Sequence, residues 1–217
     1  MSIKENLNNL KSNIPDKVVL VAVSKTKPIS DLMEAYNTGQ RIFGENKIQE
    51  MVDKYEEMPK DIEWHMIGHV QRNKVKYMAE FVNLIHGVDS LKLLKEINKQ
   101  AEKHHRVINC LLQIKIAEED SKFGMSAEDA SALLSSEKFA ELKNVEVIGL
   151  MGMATFTDNM NQVEKEFKFL RHTFSNLKNT NPQLEIISMG MSGDYQLAID
   201  CGSTMIRVGS SIFGVRN

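Results

Sequence analysis

The feature that most constrains this sequence is an unbroken apolar run at positions 18–23, V-V-L-V-A-V, which is followed by Ser24, Lys25 and, shortly after, Pro28. A continuous run of β-branched and apolar side chains is typical of a parallel strand that is buried on both faces. Proline cannot extend a central strand, and it also disfavours helical geometry in the residue before it. We therefore expect a buried strand that ends just past Lys25.

Lys25 is the unusual side chain of this strand. Side chains alternate along a strand, so residues 19, 21, 23 and 25 share one face. Burying an ammonium group without a partner costs several kcal/mol, so Lys25 must be paired, deprotonated, covalently modified or close enough to the strand end to reach water. Lys27 has the same parity, and the pattern alone does not choose between the two lysines.

Apolar and helical segments alternate along all 217 residues. The predicted strands cover residues 18–25, 41–44, 62–67, 82–86, 107–116, 145–153, 184–189 and 204–208. Such alternation favours a parallel sheet, and eight units predict a (β/α)8 TIM barrel that forms a single domain over residues 1–217. A doubly wound open sheet is the alternative, but no G-x-G-x-x-G follows the first strand.

Helix signals lie between the predicted strands. The clearest is an apolar stripe spaced by four, three, four and three residues: Val163, Phe167, Leu170, Phe174 and Leu177. A short leading helix is expected at 3–12 and another helix at 71–79. Residues suited to capping precede four helices: Ser30, Asn46 (with Gln49 as a capping box), Ser90 and Ser126.

Composition excludes several classes of protein. Lys plus Arg number 27 against 29 Asp plus Glu, so there is no basic excess to bind a nucleic-acid backbone. The longest apolar run is far shorter than a membrane span, and residues 1–13 do not resemble a signal peptide. Cys110 and Cys201 are isolated cysteines without C-x-x-C spacing, which favours packed thiols over a disulfide. We expect a cytoplasmic protein with no membrane or nucleic-acid partner.

The histidines do not predict a metal site. His65 and His69 lie at a strand end and lack the glutamate of H-E-x-x-H. His86 ends the fourth predicted strand, where it either faces the barrel mouth or packs in the core, and the core is the favoured interpretation.

The last two predicted strands end in segments rich in Gly and Ser, S-M-G-M-S-G-D-Y at 188–195 and R-V-G-S-S-I-F-G at 207–214. Barrels often bind phosphate after strands seven and eight, where backbone amides and hydroxyls can approach an anion closely. Ser192 has a second interpretation, as the N-cap of the helix that follows. We favour a phosphate-bearing ligand.

Arg207 shares the parity of Gly209 on the last strand, which neighbours the first strand in a closed barrel. Arg207 and Lys25 should therefore share one mouth, and an inward arginine needs an acceptor there. A lysine able to form a Schiff base, an arginine and a phosphate cradle together suit pyridoxal 5′-phosphate (PLP).

Six motifs occur in order along the chain: A-V-S-K-T-K-P (22–28), F-G-E-N-K-I-Q-E (43–50), W-H-M-I-G-H-V-Q-R-N-K (64–74), G-L-M-G-M (149–153), S-M-G-M-S-G-D (188–194) and G-S-T-M-I-R-V-G-S-S-I-F-G (202–214). The chain thereby resembles the pyridoxal-phosphate homeostasis protein family of the YggS/PROSC type. The resemblance implies a barrel like the N-terminal domain of alanine racemase, without that enzyme's second domain.

The resemblance also implies cofactor-binding residues. It selects Lys25 as the lysine that carries PLP as a Schiff base, and it places Asn46 near the cofactor. Ser192, Gly209 and Ser210 correspond to the phosphate cradle, and Arg207 corresponds to the partner of the pyridine nitrogen.

The function implied is a non-catalytic PLP-binding protein, expected to be monomeric, that serves intracellular PLP (vitamin B6) homeostasis and cofactor supply. PLP-dependent client enzymes and free amino acids are the further partners expected. A PLP-dependent amino-acid racemase is the alternative, but it needs acid–base groups on both faces of its substrate. A class I aldolase is a third hypothesis, because it also uses a barrel lysine and a phosphate site. It would keep a bare lysine amine for its substrate and would not hold a resident cofactor.

Overall fold

A computed structural model describes residues 2–118 and 123–214 of the chain. Eight parallel strands pair in chain order, and the last pairs with the first to close a barrel. The strands are β1 (Val19–Val23), β2 (Ile42–Glu45), β3 (Glu63–Met66), β4 (Leu84–Val88), β5 (Ile108–Gln113), β6 (Val145–Met151), β7 (Ile186–Ser188) and β8 (Met205–Val208). The predicted (β/α)8 barrel is confirmed, and the open sheet is not formed.

Helices connect most of these strands. They are α1 (Ile3–Ser12), α2 (Ile29–Asn37), α3 (Ile48–Glu57), α4 (Leu91–Lys103), α5 (Ala127–Leu134), α6 (Glu137–Ala140), α7 (Met160–Lys178), α8 (Tyr195–Asp200) and α9 (Ser210–Phe213). A 3₁₀-helix, Arg72–Tyr77, replaces the α-helix predicted at 71–79. Val75 is the buried residue of this 3₁₀-helix, and Met78 and Ala79 are buried just beyond its end. Short 3₁₀ turns of this kind commonly connect other elements.

The helix starts agree only in part with the predicted caps. Side-chain caps form at Ser90 and Ser126. The N-cap of α2 is Pro28 and not Ser30, because Pro28 holds the extended backbone from which the helix starts. The N-cap of α3 is Lys47, without a side-chain cap, so the predicted capping box at Asn46 is wrong.

Two apolar layers pack on opposite faces of the strands. The barrel interior is filled by a small buried set: Val21, Ile67, Leu84, Leu111, Met151 and Met205. The larger cluster lies between the strands and the helices and includes the complete apolar stripe predicted for α7. Val19 and Val23 pack with the interior set, so the face of β1 that leads to Lys25 is the inner one.

No helix within residues 2–118 and 123–214 is long and apolar enough to cross a membrane.

Candidate functional site

A cavity of about 650 Å³ opens where the strands of the barrel end. Its walls include all six residues predicted to bind a cofactor: Lys25, Asn46, Ser192, Arg207, Gly209 and Ser210. The carboxyl ends of parallel strands meet at one face of a closed barrel, which is why residues from distant motifs converge there. The volume is in the range of cofactor and ligand pockets, roughly 300–1,000 Å³.

Lys25 lies in a turn directly after β1 and is half-buried. Lys27, the alternative that sequence parity left open, also lines the cavity. Its ammonium donates a hydrogen bond to the Phe213 carbonyl oxygen over 2.9 Å, at the end of α9. This bond ties the segment after β1 to the last helix, a structural role for Lys27 that the sequence pattern did not indicate.

Arg207 is a buried cation in the barrel interior. It pairs in register with Val21 of β1 and has only 4% of its surface exposed. Its guanidinium donates to the carbonyl oxygen and the hydroxyl of Ser188, at 2.9 and 2.7 Å, and to the Gly152 carbonyl oxygen at 3.1 Å. Burial lowers the pKa of Arg207 to about 10, so the group is still charged at neutral pH.

A chain of polar side chains continues from Arg207 through the barrel interior. The Ser188 hydroxyl lies 3.0 Å from Nδ1 of His86, and Nε2 of His86 lies 3.1 Å from Nδ1 of His65. Burial lowers the pKa of His65 to about 3. Burial, together with the nearby His65 and Arg207, holds the pKa of His86 well below its usual value. Both imidazoles are therefore neutral at physiological pH, and His86 is the core histidine that the sequence favoured.

Ser192 and Gly209 are joined across the cavity wall. The Gly209 N–H donates to the Ser192 hydroxyl oxygen over 3.2 Å. The N-cap of α8 is Asp194, so the alternative interpretation of Ser192 as a helix cap is wrong. A Cβ at Gly209 would lie 3.1 Å from the Val23 carbonyl oxygen, which makes this position tight for any other residue.

Gly209 is also the N-cap of α9, whose first residue is Ser210. The N–H groups of a first helical turn have no partner within the helix. The Ser192 hydroxyl accepts the Gly209 N–H and still has its own proton to donate. Hydroxyls and amides thus gather at one end of the cavity, an arrangement that can hold an anionic group.

His69 is a cavity residue that the sequence analysis did not assign to the site. Its ring stacks on Phe123 with centroids 4.1 Å apart, and its Nδ1 lies 3.6 Å from an Asp89 carboxylate oxygen. The motif at 64–74, one of the six that carry the family resemblance, contains His69, but its spacing indicated only that H-E-x-x-H is not present. Within the described residues, no cluster of three or more His, Cys, Asp or Glu side chains could hold a metal ion.

The cavity therefore presents three kinds of polar group. These are the Lys25 amine, the buried Arg207 guanidinium and the hydroxyl–amide group around Ser192 and Gly209. The amine suits the aldehyde of PLP, the guanidinium suits the pyridine nitrogen, and the hydroxyl–amide group suits the phosphate. The residues present fit this cofactor.

Comparison with known proteins supports this fit. A family model described as "Alanine racemase, N-terminal domain" matches residues 1–217. The pyridoxal phosphate homeostasis protein of Haemophilus influenzae is 38% identical over 232 residues, which span 100% of this chain and 97% of that protein. The Escherichia coli K12 protein of the same name is 37% identical and covers 94% of this chain and 88% of its own length.

Solved structures agree with these relatives. PipY of Synechococcus elongatus without PLP superposes with a TM-score of 0.93 at 36% identity, covering 98% of this chain and 100% of PipY. PipY with PLP bound superposes with a TM-score of 0.90, at the same identity and coverage. An alanine racemase of Clostridium difficile gives 0.84 at 13% identity, over 99% of this chain and 60% of the racemase. The last match shows the fold alone and confirms the predicted likeness to the alanine racemase N-terminal barrel.

Proposed function

Because this chain belongs to the pyridoxal phosphate homeostasis protein family, we propose that it holds PLP as a Schiff base on Lys25 and serves PLP homeostasis and cofactor supply. The observation that carries the proposal is the convergence of all six sequence-predicted residues on one cavity. The whole of residues 1–217 is proposed as one PLP-binding domain, monomeric and cytoplasmic. PLP-dependent client enzymes and free amino acids are its proposed further partners.

The residues of the cavity have distinct proposed roles. Lys25 would hold PLP through its amine, as a Schiff base to the aldehyde formed with loss of one water and no change of oxidation state. Ser192, Gly209 and Ser210 hold the phosphate through hydroxyl and amide hydrogen bonds. Arg207 would be the partner of the pyridine nitrogen, and Asn46 would lie near the cofactor. Bound PLP supplies a reactive aldehyde on a ring that can withdraw electrons.

The proposed protein is a carrier and not an enzyme. A guanidinium whose pKa is about 10 donates hydrogen bonds but does not give up its proton at neutral pH. A pyridine nitrogen held against Arg207 would therefore stay unprotonated, and the ring would accept little negative charge from a substrate. A racemase is the second candidate, because His69 in the same cavity is a potential second acid–base group.

Covalent attachment at Lys25 is the first prediction. After incubation with PLP and borohydride reduction, peptide mapping should find the pyridoxyl group on Lys25. Lys25→Ala should abolish the adduct, whereas Lys27→Ala should retain it, since the Lys27 ammonium is bound to the Phe213 carbonyl. An adduct on Lys27, or none in the wild type, would refute the assignment.

The phosphate cradle gives the second prediction. Replacing Ser192 and Ser210 together by Ala should weaken PLP binding by a few kcal/mol, at about 1.5–3 kcal/mol per hydrogen bond to a charged acceptor. Fluorescence titration measures this loss. The affinity of the double variant for pyridoxal, which lacks the phosphate, should change little. Ser211→Ala is the matched control, because Ser211 adjoins the cradle without lining the cavity. Unchanged PLP affinity in the double variant would place the phosphate elsewhere.

A further inference from the structure

A buried network of charged side chains lies behind the turn that carries Lys25. Lys54 of α3 donates to three oxygens: the Ser24 carbonyl and Glu45 Oε1, both at 2.8 Å, and Glu50 Oε1 at 2.7 Å. Every N–H of an ammonium group is thereby used. The side chains of Lys54 and Glu45 are 7% and 0% exposed. Such a buried cation is costly unless each donor has a partner, as here.

Glu45 fixes the same turn through a second contact. The Ser24 hydroxyl donates to Glu45 Oε1 over 2.6 Å. Burial raises the pKa of Glu45, while Lys54 and Ser24 oppose that shift. The other carboxylate oxygen, Oε2, has no hydrogen-bond partner among the described residues. Replacing a buried ion pair by apolar side chains is often neutral or stabilising, so stability alone does not account for this arrangement.

Thr26, on the other side of Lys25, has a strained backbone. Its φ is +64°, in the left-handed region that a β-branched residue rarely adopts. Its N–H donates to Glu50 Oε1 over 2.5 Å, the same oxygen that accepts from Lys54. Ser24 and Thr26 are thus bound to one network, and Lys25 lies between them. Lys54, Glu45 and Glu50 are not among the residues that line the cavity in the described parts of the chain.

We propose that Lys54 and Glu50 are positioning residues that clamp the backbone on both sides of Lys25 and thereby direct its amine into the cavity. The proposal rests on the proposed function, since it concerns how Lys25 meets the aldehyde. Removing the clamp leaves the phosphate cradle and Arg207 in place. Removal of the clamp should therefore weaken the binding of ligands that form a covalent bond with Lys25 and leave the binding of other ligands unchanged.

The decisive comparison uses Glu50→Ala and Glu50→Gln. Glu50 is half-buried at the start of α3, so neither variant should prevent folding. Alanine removes the acceptor of the Thr26 N–H, and glutamine retains one. Each variant is titrated with PLP and with pyridoxine 5′-phosphate, which has the same ring and phosphate but no aldehyde. We expect Glu50→Ala to bind PLP at least fivefold more weakly, while the affinity for pyridoxine 5′-phosphate changes less than twofold and Glu50→Gln stays within twofold for both.

Lys54→Met tests the centre of the network against a matched control. Gln40 donates from one side-chain nitrogen to the Leu20 and Ile42 carbonyl oxygens, linking β1 and β2 at the end away from Lys25. Gln40→Leu therefore breaks buried hydrogen bonds to the same two strands without touching the turn. Circular dichroism of the bound cofactor should weaken in Lys54→Met and persist in Gln40→Leu.

The outcomes separate the two proposals. If Glu50→Ala binds both ligands equally more weakly, or binds PLP as tightly as the wild type, the positioning role is overturned. This holds even if Lys54→Met fails to fold. Wild-type protein that forms no borohydride-stable adduct with PLP would refute the proposed function itself. Selective loss of PLP binding supports the positioning role.

Discussion

Lowering the pH from 7 to 4.5 will destabilise the folded barrel by about 2.5 kcal/mol through His65, and His86 will add a loss of the same sign. Burial lowers the pKa of His65 to about 3 and holds that of His86 well below its usual value. An unfolded histidine has a pKa of about 6.5, so below that pH the unfolded chain binds protons that the folded chain does not. Stability is therefore present above pH 6.5 and is lost as the pH falls toward 3. Between pH 6.5 and 4.5, His65 contributes about 1.4 kcal/mol per pH unit.

Urea unfolding at several pH values measures this effect. His86→Gln retains hydrogen-bonding capacity but cannot titrate, so it should reduce the loss of stability between pH 6.5 and 4.5. His172→Gln is the matched control, because His172 is exposed on α7 and should leave this loss unchanged. Burial also raises the pKa of Glu45, an opposite contribution that offsets part of the loss in acid. A flat stability profile down to pH 4.5 would contradict the neutral, buried state of both histidines.

Strand-level features were predictable because they follow from short patterns. The inner face of β1 and the adjacency of β1 and β8 were sufficient to bring Lys25 and Arg207 to one mouth. Asn46 shows where local patterns mislead. Its spacing to Gln49 satisfies a capping rule, but α3 starts later and Asn46 lines the cavity instead. A capping rule considers only neighbours along the chain and does not include a cavity formed by other strands.

Buried polar networks were missed for a related reason. Glu50 and Lys54 have the spacing of an ordinary exposed pair on a helix. Only the packing of α3 against the strand ends buries Lys54 and brings Glu45 and Ser24 to it. Contacts of this kind join elements that are distant along the chain. The alternation of side chains along a strand predicts only the face on which each residue lies, and not the distant residues that it contacts.

Amino acids incubated in heavy water with the PLP-loaded protein should exchange their α-protons at rates far below about 1 per second, the lower end of typical enzyme turnover. The reason is the charge at Arg207. Its pKa of about 10 keeps the guanidinium protonated throughout the physiological range, and three of its donors are already held by Ser188 and Gly152. It cannot give a proton to the pyridine nitrogen, so a PLP ring held there would be a weak electron sink for negative charge at a substrate's α-carbon.

Nuclear magnetic resonance of a panel of amino acids follows deuterium incorporation directly. Wild-type protein should match free PLP at the same concentration. Lys25→Ala reports on any exchange that depends on the proposed carrier lysine, and His69→Gln reports on the potential second acid–base group in the cavity. Exchange at 1 per second or faster that disappears in Lys25→Ala would contradict the carrier function. Its additional loss in His69→Gln would identify a two-base racemase, because removing a proton from one face and returning it to the other requires a group on each side of the substrate.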